Sequence, residues 1–106
     1  MKFVPLFRLD RLREGLRKVR RARGLRLLLL HHEGVTHVIE DHCPHMGARL
    51  AKGHLDEGHL WCPKHGFCFE LASGRRVSPP VTGGSLECLR RFEVIVRHGQ
   101  VGVELE

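Results

Sequence analysis

The chain has 106 residues, with 18 Lys and Arg against 12 Asp and Glu for a net charge of +6, and 42% of its residues are hydrophobic. That length suits one domain burying roughly two thirds of its unfolded surface. The longest uninterrupted apolar run, Leu27 to Leu30, is far short of the roughly 20 residues that cross a bilayer, so no membrane span is expected.

The opening MKFVPLF has too short an apolar core for a secretory signal, and the expected location is cytoplasmic. In a reducing compartment, four cysteines point to metal or redox use before a disulfide framework. The basic excess fits nucleic acid, an anionic membrane face, an acidic protein partner or simply a solvated surface. No aromatic residues interleave with the arginines from Arg8 to Arg26, which argues against a platform for single-stranded nucleic acid.

In chain order, Phe3 to Leu9 holds Pro5 and predicts an edge strand, since proline cannot donate to a ladder. Asp10 to Gly15 predicts one helical turn or a loop closed by the glycine. Leu16 to Ala22 and Leu25 to His31 mix Arg with Leu and Val around Arg23-Gly24 and predict a hairpin; Gly15 and Gly24 interrupt a competing helix over Leu12 to Leu30. Glu33-Gly34 predicts the next turn and Val35 to Glu40 a further strand. Gly53 to Leu55 and His59 to Trp61 flank the turn Asp56-Glu57-Gly58. Phe67 to Leu71 then reads as a strand, Ser73-Gly74 as a turn, and Val77 to Gly84 as an irregular proline-containing segment. Leu89 to Val96 and Val101 to Leu105 close the chain as a hairpin around His98-Gly99. The sum is an all-β protein of about nine short strands.

Two clusters of chemistry-bearing residues interrupt this pattern. Residues 43–47 read CPHMG and residues 62–66 read CPKHG, so a cysteine and a histidine lie close together twice, each time beside a proline and a glycine. Cys43, His45, Cys62 and His65 make a four-ligand metal set in two halves. The C-x-H spacing of the first half is too tight for a helix-borne finger and suits a tight loop. The same donors also suffice for tetrahedral zinc, which would stabilise an interaction module without redox function.

The pattern C-P-H-x-G followed by C-P-x-H-G resembles the signature of Rieske iron–sulfur proteins, most closely their soluble ferredoxin type. The resemblance covers nearly the whole chain. It implies the Rieske-like (ISP) fold, an antiparallel β-sandwich with a small inserted cluster-binding lobe. Residues 1–106 would form a single domain, with a lobe over about 42–72 inserted in a base formed by 1–41 and 73–106. One 2Fe-2S cluster per chain is implied, Cys43 and Cys62 holding the inner iron and His45 and His65 the outer. Pro44, Met46, Gly47, Lys64, Gly66, Phe67, Pro79 and Pro80 would surround it, Pro79 and Pro80 as the family's proline segment. The extra cysteines of high-potential relatives are replaced by Ala48 and Lys64, and their hydroxyl donors by Phe67 and Phe69. Fewer hydrogen bonds to the cluster sulfurs place the expected potential near the low end of the Rieske range, about −150 mV.

Thiolate stabilises ferric iron and neutral imidazole does not, so an incoming electron is expected at the histidine side. The potential is expected to fall as pH rises well above neutral, because oxidised iron acidifies the imidazoles. Met46, Arg49, Lys52 and Lys64 form a basic, partly apolar rim suited to an acidic redox partner. The expected function is therefore that of an electron carrier, not an enzyme, passing single electrons from a flavin reductase to a terminal oxygenase or reductase, and a monomer. A small Rieske-like subunit of a nitrite reductase-type enzyme is the alternative. A catalytic oxygenase subunit, which needs a second domain with a mononuclear iron, is not expected. Cys68 and Cys88 are expected to bind no metal, and His42 to be a surface residue beside Cys43.

Overall fold

The computed structural model describes residues 1–44, 47–64, 66–80 and 88–106. Nearly all of its regular structure is antiparallel strand: β1 (Lys2–Arg8), β2 (Arg17–Ala22), β3 (Leu25–His32), β4 (Val35–Glu40), β5 (His54–Asp56), β6 (His59–Trp61), β7 (Cys68–Glu70), β8 (Arg76–Ser78), β9 (Arg91–Phe92), β10 (Ile95–Arg97) and β11 (Gln100–Leu105). A 3-10 turn over Leu9–Arg11 follows β1. The chain gathers into two compact units, Met1–Glu40 with Arg91–Glu106, and Asp41–Arg90.

The first unit holds two sheets, ordered β1-β11-β10 and β2-β3-β4-β9. Pro5 lies on β1, an edge strand as expected, and the ladder to β11 shifts register between Pro5 and Phe7. Leu6, Leu16, Leu27, Leu29, Val38, Val101, Val103 and Leu105 form its core. Leu28, Leu30 and Ile39 are also buried, so β3 is out of solvent on both faces and reads as an unbroken leucine run where a half-exposed strand would alternate. Each such side chain contributes about 1.5–3 kcal/mol on burial.

Among the described residues, four hairpins turn on an X-Gly pair with both residues at positive φ: Arg23-Gly24, Glu33-Gly34, Glu57-Gly58 and His98-Gly99. The left-handed first residue matches the strand twist, and glycine takes the second such position without steric cost. In the second unit, β5-β6-β7-β8 form one sheet with Leu60 opposite Phe69, both fully buried.

Three expectations change. The strand foreseen over Leu89 to Val96 is two strands in two sheets: β9 pairs with β4 and β10 with β11, and the chain crosses at Glu93 and Val94. Val94 packs on the first unit's core there, which accounts for an apolar residue in the unpaired link. Val77 and Ser78, expected to begin the irregular segment, instead form β8 with Arg76. With Arg75 bridged to Cys88 and the Leu89 N–H donating to the Gly74 carbonyl at 2.7 Å, residues 73–80 and 88–90 belong with the second unit and not with the base.

Candidate metal centre

β4 delivers the chain to Cys43, and the β5–β6 hairpin delivers it to Cys62. Both cysteines open loops of one backbone plan. Cys43 N–H donates to the Ala48 carbonyl and Gly47 N–H to the Cys43 carbonyl, each at 2.8 Å. Cys62 N–H donates to the Phe67 carbonyl at 2.7 Å and Gly66 N–H to the Cys62 carbonyl at 3.1 Å. Gly47 and Gly66 hold φ of 73° and 66°, the left-handed turn that closes each loop and that an L side chain resists. In the sequence, a histidine follows Cys43 by two residues and Cys62 by three.

Cys43 and Cys62 are 0% and 2% exposed, and neither is in a disulfide. Two thiols withdrawn from solvent on matching loops fit a centre that takes them as thiolates, since a positive metal offsets the burial of their charge. His45, His65 and Met46 lie outside the described residues. Among the described residues, no three His, Cys, Asp or Glu gather as a ligand set.

Pro44 and Phe67 are half-buried, while Gly47, Lys64, Gly66, Pro79 and Pro80 are exposed. Arg49, Lys52 and Lys64 are exposed too. Cys68 lies on β7, and burial pushes its thiol up from the ordinary range. Cys88 is exposed.

Two residues that the motif did not mark support the loops. Asp41, 1% exposed, accepts the N–H of Leu50 at 2.7 Å and of Ala51 at 2.8 Å through one carboxylate oxygen, fixing the chain on either side of the first loop. An acid ahead of a ligand loop is a cue for such backbone capture, but a weak one. Arg76 places its guanidinium 4.9 Å from the Phe67 ring centre. The His42 imidazole faces the first loop, since a Cβ built at Gly47 would lie 3.3 Å from its Nε2. The other described histidines lie on strands or in a turn: His31 Nδ1 and Thr36 Oγ1 are 2.9 Å apart, and His54 and His59 flank Trp61 with ring centres 5.3 and 5.9 Å away.

The model of the Rieske [2Fe-2S] domain matches residues 2–93. The chain belongs to the Rieske [2Fe-2S] domain family. Its cofactor is accordingly a Rieske-type 2Fe-2S cluster. This Rieske chain is 35% identical over 78 residues to mouse (Mus musculus) apoptosis-inducing factor 3, a match covering 74% of the chain and 12% of that protein. It is 35% identical over 81 residues to the ferredoxin component of the alkene monooxygenase system of Xanthobacter autotrophicus, covering 76% of the chain and 62% of that relative. It thus spans less than two thirds of the length of either relative. Among solved structures, it superposes with a TM-score of 0.78 and 28% identity on a chain from the complex of reduced oxygenase and oxidized ferredoxin in carbazole 1,9a-dioxygenase, covering 95% of this chain and 100% of that one. No helix among the described residues is long and apolar enough to cross a membrane.

Proposed function

We propose that this Rieske domain is a one-electron carrier between a flavin-dependent reductase and a terminal oxygenase. Cys43 and Cys62 would hold one iron of its cluster, and His45 and His65 the other. The observation that carries this reading is the matched pair of loops, Cys43 closed by Gly47 and Ala48, Cys62 closed by Gly66 and Phe67. Likeness to a ferredoxin component and to a chain from an oxygenase–ferredoxin complex supports the choice of acceptor.

When bound, the cluster would supply a reversible one-electron couple. The protein's own residues supply the enclosure and the docking face. Both thiols are held away from water, and the exposed Arg49, Lys52 and Lys64 offer basic side chains to an acidic partner. Residues 1–106 act as a single Rieske domain, in which Asp41–Arg90 carries the cluster. The carrier works as a cytoplasmic monomer and is not itself an enzyme.

The test is electron paramagnetic resonance of the purified protein after chemical reduction, beside iron, zinc and acid-labile sulfide analysis. A rhombic signal of low average g with two irons and two sulfides per chain is expected. Silence with one zinc per chain would refute the carrier reading.

A further inference from the structure

Arg76 stands on β8, next to the strand that leaves the second ligand loop. Its guanidinium carbon lies 4.9 Å from the centre of the Phe67 ring, and its Nη2 donates to the Pro80 carbonyl at 3.5 Å. Its Nε is shielded from solvent. Phe67 is the residue whose carbonyl accepts the Cys62 N–H and closes that loop. One cation therefore touches both the closing residue of the second loop and the proline segment. The other Arg–Phe stacks described, Arg20 on Phe7 and Arg97 on Phe3, lie in the unit without the ligand loops.

We propose that Arg76 is a positioning residue that raises the reduction potential of the centre. This rests on the assignment of Cys43 and Cys62 as ligands. Reduction adds one negative charge, and a fixed cation beside the Cys62 loop favours the more negative state. Partial burial keeps salt from screening that interaction as it would on the surface. The planar guanidinium also stacks on Phe67 while its edge donates to Pro80, a pair of contacts that an ammonium group cannot make together. Charge and stacking make separable contributions: the charge sets the potential, and the stack holds the loop and the proline segment in place.

The experiment is a redox titration of holoprotein, followed by electron paramagnetic resonance, on wild type, Arg76→Lys and Arg76→Met, with thermal melts alongside. Arg76→Met is expected to lower the equilibrium constant for reduction about tenfold, about 59 mV for one electron. Arg76→Lys is expected to keep most of the potential and lose melting temperature, because it keeps the charge without the stack. Should Arg76→Met fail to assemble the cluster, Arg76→Gln supplies the neutral comparison. An unchanged potential in the neutral variant with an intact wild-type-like spectrum would overturn the role of Arg76 alone. An equal fall in the Lys and neutral variants would do the same, since it would follow loss of the stack and not of the charge. A wild type without the rhombic signal would overturn the ligand assignment itself and this inference with it.

Discussion

Gly53 lies so close to Trp61 that a Cβ added to it would stand under 3.0 Å from the Trp61 carbonyl oxygen. That oxygen is backbone and belongs to the residue before Cys62, so relief requires moving the strand that delivers a proposed ligand. The Leu50 carbonyl and the Leu60 side chain, each 3.2 Å from the same point, narrow the space further. Gly53→Ala is therefore expected to cost about 1–3 kcal/mol as an overpacking change and to lower cluster occupancy. Chemical denaturation with the iron content of the purified variant checks both. A variant as stable as wild type with full iron would show that β5 and β6 yield freely.

Asp41 is the buried acid that fixes the first loop. Removing its carboxylate leaves the N–H groups of Leu50 and Ala51 without their acceptor, and hydrogen bonds to a charged group contribute about 1.5–3 kcal/mol each. Asp41→Ala is expected to lose more stability than Asp41→Asn, whose amide oxygen still accepts. Urea melts of the two variants should rank them in that order, and equal stabilities would contradict the role.

The four cysteines divide into two pairs by structure. Cys43 and Cys62 sit at equivalent points of matched loops, whereas Cys68 lies on β7 and Cys88 is exposed. Serine at Cys43 or Cys62, or alanine at His45 or His65, is expected to abolish the reduced-state resonance signal. Serine at Cys68 or Cys88 should leave it intact. Loss of signal in Cys68→Ser with a folded chain would require a different ligand set.

Glu14 accepts the N–H groups of Glu33 at 2.7 Å and Gly34 at 3.1 Å, tying the segment before β2 to the β3–β4 turn. Those two bonds, with smaller help from His32 and His31, hold its carboxyl below the ordinary value of 4.5. A folded-state value below the unfolded one stabilises the protein above about 4.5, and that contribution is lost as pH falls through the folded value. Glu14→Gln should melt below wild type at neutral pH, with the gap closing in acid. A gap independent of pH would point to packing and not to charge.

Features set by local chemistry were readable in the sequence. The four X-Gly turns, proline on an edge strand and the Cys/His spacing each follow from a few adjacent residues. What escaped depends on distant partners. Leu89 to Val96 reads as one apolar strand because its side chains do not reveal that Arg91 and Phe92 pair with β4 while Ile95 begins a ladder to β11. Asp41 looks like a linker acid until Leu50 and Ala51 fold back onto it. The equivalence of the two loops was half legible: the glycines share a spacing, but only the carbonyls of Ala48 and Phe67 reveal the common frame.

The strands that open and close the fold are neighbours, with Lys2 opposite Leu105 in the β1–β11 ladder. Both ends of the chain thus leave from one end of a single strand pair, so the domain can be spliced between two segments of a longer polypeptide without parting any ladder. Such portability agrees with a match that fills only 12% of one longer relative. It also means that a short linker joining residue 106 to residue 1, with new ends opened at the exposed Arg23-Gly24 turn, should yield a circular permutant that still folds.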